Sequence, residues 1–241
     1  MKKYFKKKNR ILAAVFCYLC PSMISRTYHS LHLDHTDNGS NKVVYVLLPE
    51  RMEEAELASI EALADECGAN IVLMSDFDWE SCMTPWEAPD AVKKNKRYNG
   101  KAKAFLEEFM KDHSFYIEHS LRIEKAERYL VGISLSGLFA VWASAQKDYF
   151  KGVASISGSF WFEDFVGWIS KQENIGCERY YFSLGAKEKD SKNKVFAGVQ
   201  EATEAVVERL LSMGKEVIFE LNEDSHSANI MRKIGDGVKG L

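Results

Sequence analysis

The stretch best suited to chemistry is Gly132-Ile133-Ser134-Leu135-Ser136-Gly137. It follows an apolar run, Tyr129-Leu130-Val131, and opens into a helical pattern from Leu138 to Gln146. A serine on a sharp turn between a strand and a helix is a nucleophile elbow. The turn lifts the hydroxyl clear of the sheet. It also leaves the next backbone N–H, that of Leu135, free to face a developing oxyanion. The flanking positions must be small because strand and helix pack closely there. Gly132 and Gly137 meet that need, while Ser136 stands where the pattern usually has glycine.

An elbow serine needs a base, and the base needs an acid to orient it; along the chain the acid comes first and the histidine last. His29, His32, His35, His113 and His119 all precede Ser134, so His226 alone satisfies that order. It sits in the polar loop Asn222-Glu223-Asp224-Ser225-His226-Ser227, after the last apolar run. The acid belongs on the loop after the preceding strand, where Gly185-Ala186-Lys187-Glu188-Lys189-Asp190 follows Tyr181–Leu184. Glu188 is the first choice and Asp190 the second. The longer glutamate reaches further across to the histidine loop, which leaves Asp190 to face solvent or cap the helix near Val195. A second oxyanion donor should come from the loop after the first long strand. Pro49 has no N–H to give, so the backbone N–H of Glu50 or Arg51 is expected there.

The elements that must position these groups are legible as short apolar runs: Val43–Leu48, Asn70–Met74, Arg128–Ile133, Val153–Ser157, Tyr180–Leu184 and Glu216–Leu221. Their near-continuous hydrophobicity suits a parallel sheet covered on both faces. Helical patterns alternate with them at Met52–Cys67, Lys101–His119, Leu138–Gln146, Phe162–Lys171 and Val195–Met213. This alternation predicts an α/β fold with a doubly wound, mostly parallel sheet. Tyr28–Leu33 reads as an antiparallel edge strand. The segment from Ser75 to Gly100 breaks the rhythm and carries Trp79 and Trp86. A loop this long is usually functional or packed by its own side chains. Its tryptophans are therefore expected to border the Ser134 pocket, or else to anchor the loop.

Composition bounds the rest. The chain has 241 residues, 46% hydrophobic and 28% charged, with a net charge of −3. Such a chain is an ordinary globular protein, with no electrostatic footprint for nucleic acid. Cys17, Cys20, Cys67, Cys82 and Cys177 are odd in number and read as reduced thiols. Cys17-x-x-Cys20 lacks a second pair. His29-x-x-His32-x-x-His35 would alternate faces on a strand, so no metal site is expected. A basic and apolar extension over residues 1–26 precedes a single domain over residues 27–241. Its apolar run, Ile11–Cys20, is too short to span a bilayer as a helix. A cytoplasmic protein is expected, with export through this N-terminus as the alternative.

Three segments together resemble the esterase family of α/β-hydrolases that includes enterochelin-type and S-formylglutathione-hydrolase-type esterases, and within it a bacterial group of such hydrolases. They are Asp78-Trp79…Pro85-Trp86-Glu87-Ala88-Pro89, Ser134-Leu135-Ser136-Gly137-Leu138-Phe139-Ala140, and Ser183-Leu184-Gly185-Ala186-Lys187-Glu188 followed by His226. The resemblance runs from about Val43 to His226. It implies an α/β-hydrolase fold, a nucleophile at Ser134, an acid at Glu188 and a base at His226. It also implies a small-molecule ester as substrate and no metal or organic cofactor. The departures are the first 25 residues, Ser136 at the elbow, and a glycine-bearing tail (Gly235, Gly237, Gly240) where a frayed final helix is expected. A thioesterase or acyltransferase would use the same parts, and a non-catalytic binding protein could keep the same scaffold.

Overall fold

The computed structural model describes residues 23–28, 31–93 and 95–241. Cys17, Cys20, His29 and the apolar run Ile11–Cys20 lie outside the described residues. An eight-stranded sheet runs through the molecule in the order β1 (Met23–Tyr28), β2 (Leu31–Thr36), β4 (Asn70–Ser75), β3 (Lys42–Leu47), β7 (Glu127–Ile133), β8 (Gly152–Ile156), β9 (Arg179–Gly185), β10 (Glu216–Asn222). From β4 to β10 every pairing is parallel. β2 is antiparallel to both its neighbours. The Tyr28–Leu33 edge strand is therefore corrected to a two-stranded ribbon, because Tyr28 ends β1 and pairs with Leu31 at the start of β2. β1 also takes in Met23–Arg26, which the sequence reading gave to the N-terminal extension.

Helices cover both faces, and the alternating side chains of each strand serve the two cores. α1 (Glu54–Cys67) packs Ile60, Leu63 and Ala64 against Val44, Val46, Ile71 and Val131. On the other face lie α3 (Ala102–Glu108), α4 (Ser114–Ser120), α5 (Leu135–Ser144), α6 (Phe165–Ser170) and α8 (Val199–Ser212), against Tyr45, Leu47, Leu130 and Val153. A π-helical turn, Phe109–His113, joins α3 to α4. The segment from Ser75 to Gly100 contains α2 (Trp79–Cys82) and a small antiparallel ribbon of β5 (Glu87–Pro89) and β6 (Arg97–Asn99). α7 (Lys194–Ala197) is capped by Asn193, whose side chain accepts from the Val195 N–H. Asp190 does not take that role.

The final helix is well formed. α9 (Ile230–Lys239) buries Ile234 and Val238 against Ala154, Ile156 and Tyr181. Its glycines do not fray it. They let the helix lie close to the sheet: a Cβ on Gly240 would meet the Tyr181 ring at 2.5 Å, and one on Gly237 would meet the Ala154 Cβ at 3.3 Å. Each buried aliphatic side chain contributes about 1.5–3 kcal/mol, more than the helix propensity that each glycine forgoes.

At the other end of the sheet, Glu118 is buried and accepts two hydrogen bonds from Arg128 at 2.6 Å and one from the Tyr45 hydroxyl at 3.0 Å. Arg128 also stacks over the Tyr149 ring at 4.4 Å. Arg128→Met is expected to lower the unfolding free energy by about 3 kcal/mol, because it strands a buried carboxylate. Urea unfolding measures this, and a loss too small to resolve would contradict the reading.

Candidate active site

The site is assembled at the C-terminal ends of β3, β7, β8, β9 and β10. Strands of an open parallel sheet deliver their following loops to one crevice. Ser134 lies between β7 and α5 with φ 55° and ψ −119°. An L-residue adopts such angles only where its surroundings over-determine them. Here the Ser134 N–H donates to the Ile156 carbonyl at 2.9 Å, and its own carbonyl accepts from the N–H groups of Leu138 and Ser159. Gly132 is the position that cannot carry a side chain, since a Cβ there would sit 2.0 Å from the Ser136 carbonyl oxygen. Ser136, fully buried, accepts from the Ile133 N–H at 2.7 Å and lies 2.9 Å from the Leu47 carbonyl. Its hydroxyl thus satisfies backbone groups at a tight turn, which explains why serine is tolerated there.

The polar chain across the crevice is continuous. His226 Nε2 is 3.2 Å from Ser134 Oγ, and His226 Nδ1 is 2.7 Å from Glu188 Oε2. Glu188 Oε1 accepts from the Ser157 hydroxyl at 2.6 Å and from the Gly185 N–H at 2.9 Å. Burial of Glu188 pushes its carboxyl upward in pKa. The hydrogen bonds from His226, Ser157 and Gly185, with the neighbouring imidazole, outweigh this and hold it below its ordinary value. Glu188 begins a one-turn 3-10 helix, Glu188–Asp190, not an extended stretch. That curl turns Glu188 inward and leaves Asp190 exposed.

Two cavities meet at Ser134 and His226. One of about 350 Å³ is walled by Ser159, Trp161, Phe196 and Val199, with Lys187 and Asp190 at its rim. The other, of about 720 Å³, is lined by Pro49, Glu50, Arg51, Trp79, Ile230 and Met231. Glu50, named for an oxyanion N–H, therefore lies on a loop beside the serine. Leu135 opens α5, where the first-turn N–H groups have no intrahelical acceptor. Trp79 borders the larger cavity, but Trp86 lines neither. Trp86 donates its indole N–H to the Glu163 carbonyl at 3.0 Å and packs on Phe162, Phe165 and Trp168, so it anchors the loop. Of the pair, Trp79 alone borders either of these two cavities.

Sequence reasoning passed over Ser157 and Ser159. Ser159 Oγ stands 3.3 Å from Ser134 Oγ. The signal was present in Ser155-Ile156-Ser157-Gly158-Ser159, a run of small residues leaving a parallel strand at the same edge as the elbow. Elsewhere, His32 pairs with Asp34 at 2.9 Å on β2. Among the described residues, no group of three His, Cys, Asp or Glu side chains could hold a metal ion. Among them, too, no helix is long and apolar enough to cross a membrane.

The Esterase family model matches residues 34–212. The chain belongs to the Esterase family. The match takes in Ser134 and Glu188 and ends before His226. No curated protein is similar enough in sequence to match. Among solved structures, the chain is similar to an IroE-like serine hydrolase from Shewanella oneidensis, at 17% identity and a TM-score of 0.72, over 90% of this chain and 79% of the other. It is similar to the enterobactin hydrolase IroE in complex with DFP, at 15% identity and a TM-score of 0.66, over 90% and 93% of the two chains. It is also similar to the siderophore hydrolase EstA from Aspergillus nidulans, at 16% identity and a TM-score of 0.61, over 99% and 98%. At such identities these likenesses establish the α/β-hydrolase fold, and family membership makes the Esterase-family protein a carboxylic ester hydrolase.

Two outcomes test the site's construction. Gly132→Ala should abolish ester hydrolysis and lower the melting temperature, because a Cβ there collides with backbone that cannot yield. Wild-type turnover in this variant would contradict it. Glu188 has its folded pKa depressed below 4.5. Its stabilising contribution is therefore complete above about pH 4.5 and is lost as pH falls through the lower folded value. Ser157→Ala removes one of the hydrogen bonds that depress it, so the variant should be less stable above about pH 4.5 and should lose less stability on acidification, with the loss ending at a higher pH. Urea unfolding between about pH 3 and 6 reads this, and coincident wild-type and variant curves would refute it.

Proposed function

We propose that this ester hydrolase works through a Ser134–His226–Glu188 triad and an acyl-enzyme on Ser134. The observation that carries the reading is the unbroken chain of contacts, 3.2 Å from Ser134 Oγ to His226 Nε2 and 2.7 Å from His226 Nδ1 to Glu188. Ser134 Oγ attacks the ester carbonyl as His226 Nε2 takes its proton. The same nitrogen then protonates the departing alkoxide, and the alcohol leaves. Water attacks the acyl-enzyme by the same route in reverse roles. Glu188 holds Nδ1–H toward itself, which selects the tautomer with Nε2 free to accept. Its depressed pKa keeps it ionised while the imidazolium forms. The Leu135 N–H, with a backbone N–H at Glu50 or Arg51, is suited to receive the oxyanion.

The two cavities on either side of Ser134 suit a small or medium carboxylic ester with a group on each side of the scissile bond. The siderophore and enterobactin hydrolases among the similar structures make a polyfunctional ester worth including in a substrate panel. Thioester cleavage and acyl transfer would need no change in these residues. The intact elbow and its partners weigh against a purely binding role.

Ser134→Ala should lower kcat on the best ester by several orders of magnitude, on the order of 10⁶ in the strongest case, with circular dichroism unchanged. Glu188→Gln should cost activity while Asp190→Asn keeps most of it. Residual turnover near wild type in Ser134→Ala would overturn the reading, and the reverse pattern for the two acids would reassign the third member.

A further inference from the structure

Lys233 has no exposed surface at all, although it sits on a helix whose neighbouring Arg232 is exposed. A lysine is almost never fully buried without a partner for its ammonium. Lys233 Nζ donates to the Ser225 carbonyl at 2.9 Å. The same carbonyl accepts from the Ala228 N–H at 3.3 Å, closing the turn Ser225-His226-Ser227-Ala228. His226 is thus a central residue of a turn whose acceptor is tied to α9 from below. The preceding residue is tied as well: Asp224 accepts from Asn229 at 2.8 Å and pairs with Arg232, and its carbonyl accepts from the Lys187 N–H on the acid loop at 3.3 Å.

We propose that Lys233 is a positioning residue that fixes the turn presenting His226 to Ser134 and Glu188. The inference rests on the triad reading. The chemistry is local. His226 is nearly half exposed, so packing alone does not hold its ring, and the backbone beneath it must be rigid. Around Lys233 the charged groups are Glu188 on the acid loop, Asp224 on the histidine loop and Arg232 on α9 itself. Burial pushes the ammonium's pKa down, and Glu188 and Asp224 offset part of that.

The test is Lys233→Met, which keeps the bulk and removes both donor and charge, beside Lys233→Arg, which keeps donor and charge. In Lys233→Met the kcat should fall by about tenfold to a hundredfold, the cost of a small misplacement of a reacting group, with KM little changed. The His226 ring signals, followed by NMR at one fixed pH, should move from their wild-type positions as the turn loosens. Lys233→Arg should recover most of both. Unmoved His226 ring signals with a full kcat overturn the proposal. So does lost activity with unmoved ring signals, which marks a merely structural lysine. Should Lys233→Met not fold, Lys233→Gln is measured by the same ring signals. The NMR readout does not depend on turnover. Ring signals that move on Lys233→Met, with a wild type that hydrolyses no ester, would therefore leave the positioning role standing and overturn the triad reading alone.

Discussion

The molecule depends on one strained residue. Ser134 is held at φ 55° and ψ −119°, a conformation that costs of order 1–3 kcal/mol for a side-chain-bearing residue. The strain is held by the packing around it. Gly132 lets the backbone of α5 pass within contact distance of β7, the Ser136 hydroxyl satisfies the Ile133 N–H, and the Ser134 N–H is spent on Ile156 of β8. The reward is an oxygen lifted above the sheet with a helix N-terminus behind it, where a developing negative charge is favoured.

A raised serine is useless without partners, and the sheet supplies them. β7, β8, β9 and β10 are parallel neighbours, so their C-terminal loops open on the same side. β8 contributes Ser157 and Ser159, β9 contributes Glu188, and β10 leads to His226. Hydrogen bonds between the last two loops, including Ala186 N–H to the Asn222 carbonyl at 2.7 Å, fix their spacing. The histidine is therefore placed by strand register and by α9 beneath it, not by packing of its own half-exposed ring.

Much of this was legible in the chain itself. Six parallel strands announced themselves as apolar runs, order along the chain singled out His226 as the histidine after Ser134, and Glu188 was preferred to Asp190 for its reach. What escaped had physical reasons. The division into β1 and β2 is hidden because polar residues, His32, Asp34 and His35, are buried on β2 and break the apolar signal. The glycines of the tail look like helix breakers until their closeness to Tyr181 and Ala154 is known. Trp86 could not be told from a pocket residue, since an indole that anchors a loop and one that lines a cavity have the same sequence signature. Lys233 reads as a surface residue because nothing in its neighbours reveals the carbonyl it serves.

The central claim is that Ser134 Oγ is the group that bonds to the acyl carbon. The most direct measurement is intact mass spectrometry of the wild type and Ser134→Ala after exposure to a fluorophosphonate, with peptide mapping of the adduct. The account predicts a single phosphonyl adduct on Ser134 in the wild type and none in the variant. An adduct mapped to another residue, or equal labelling of both proteins, would contradict it.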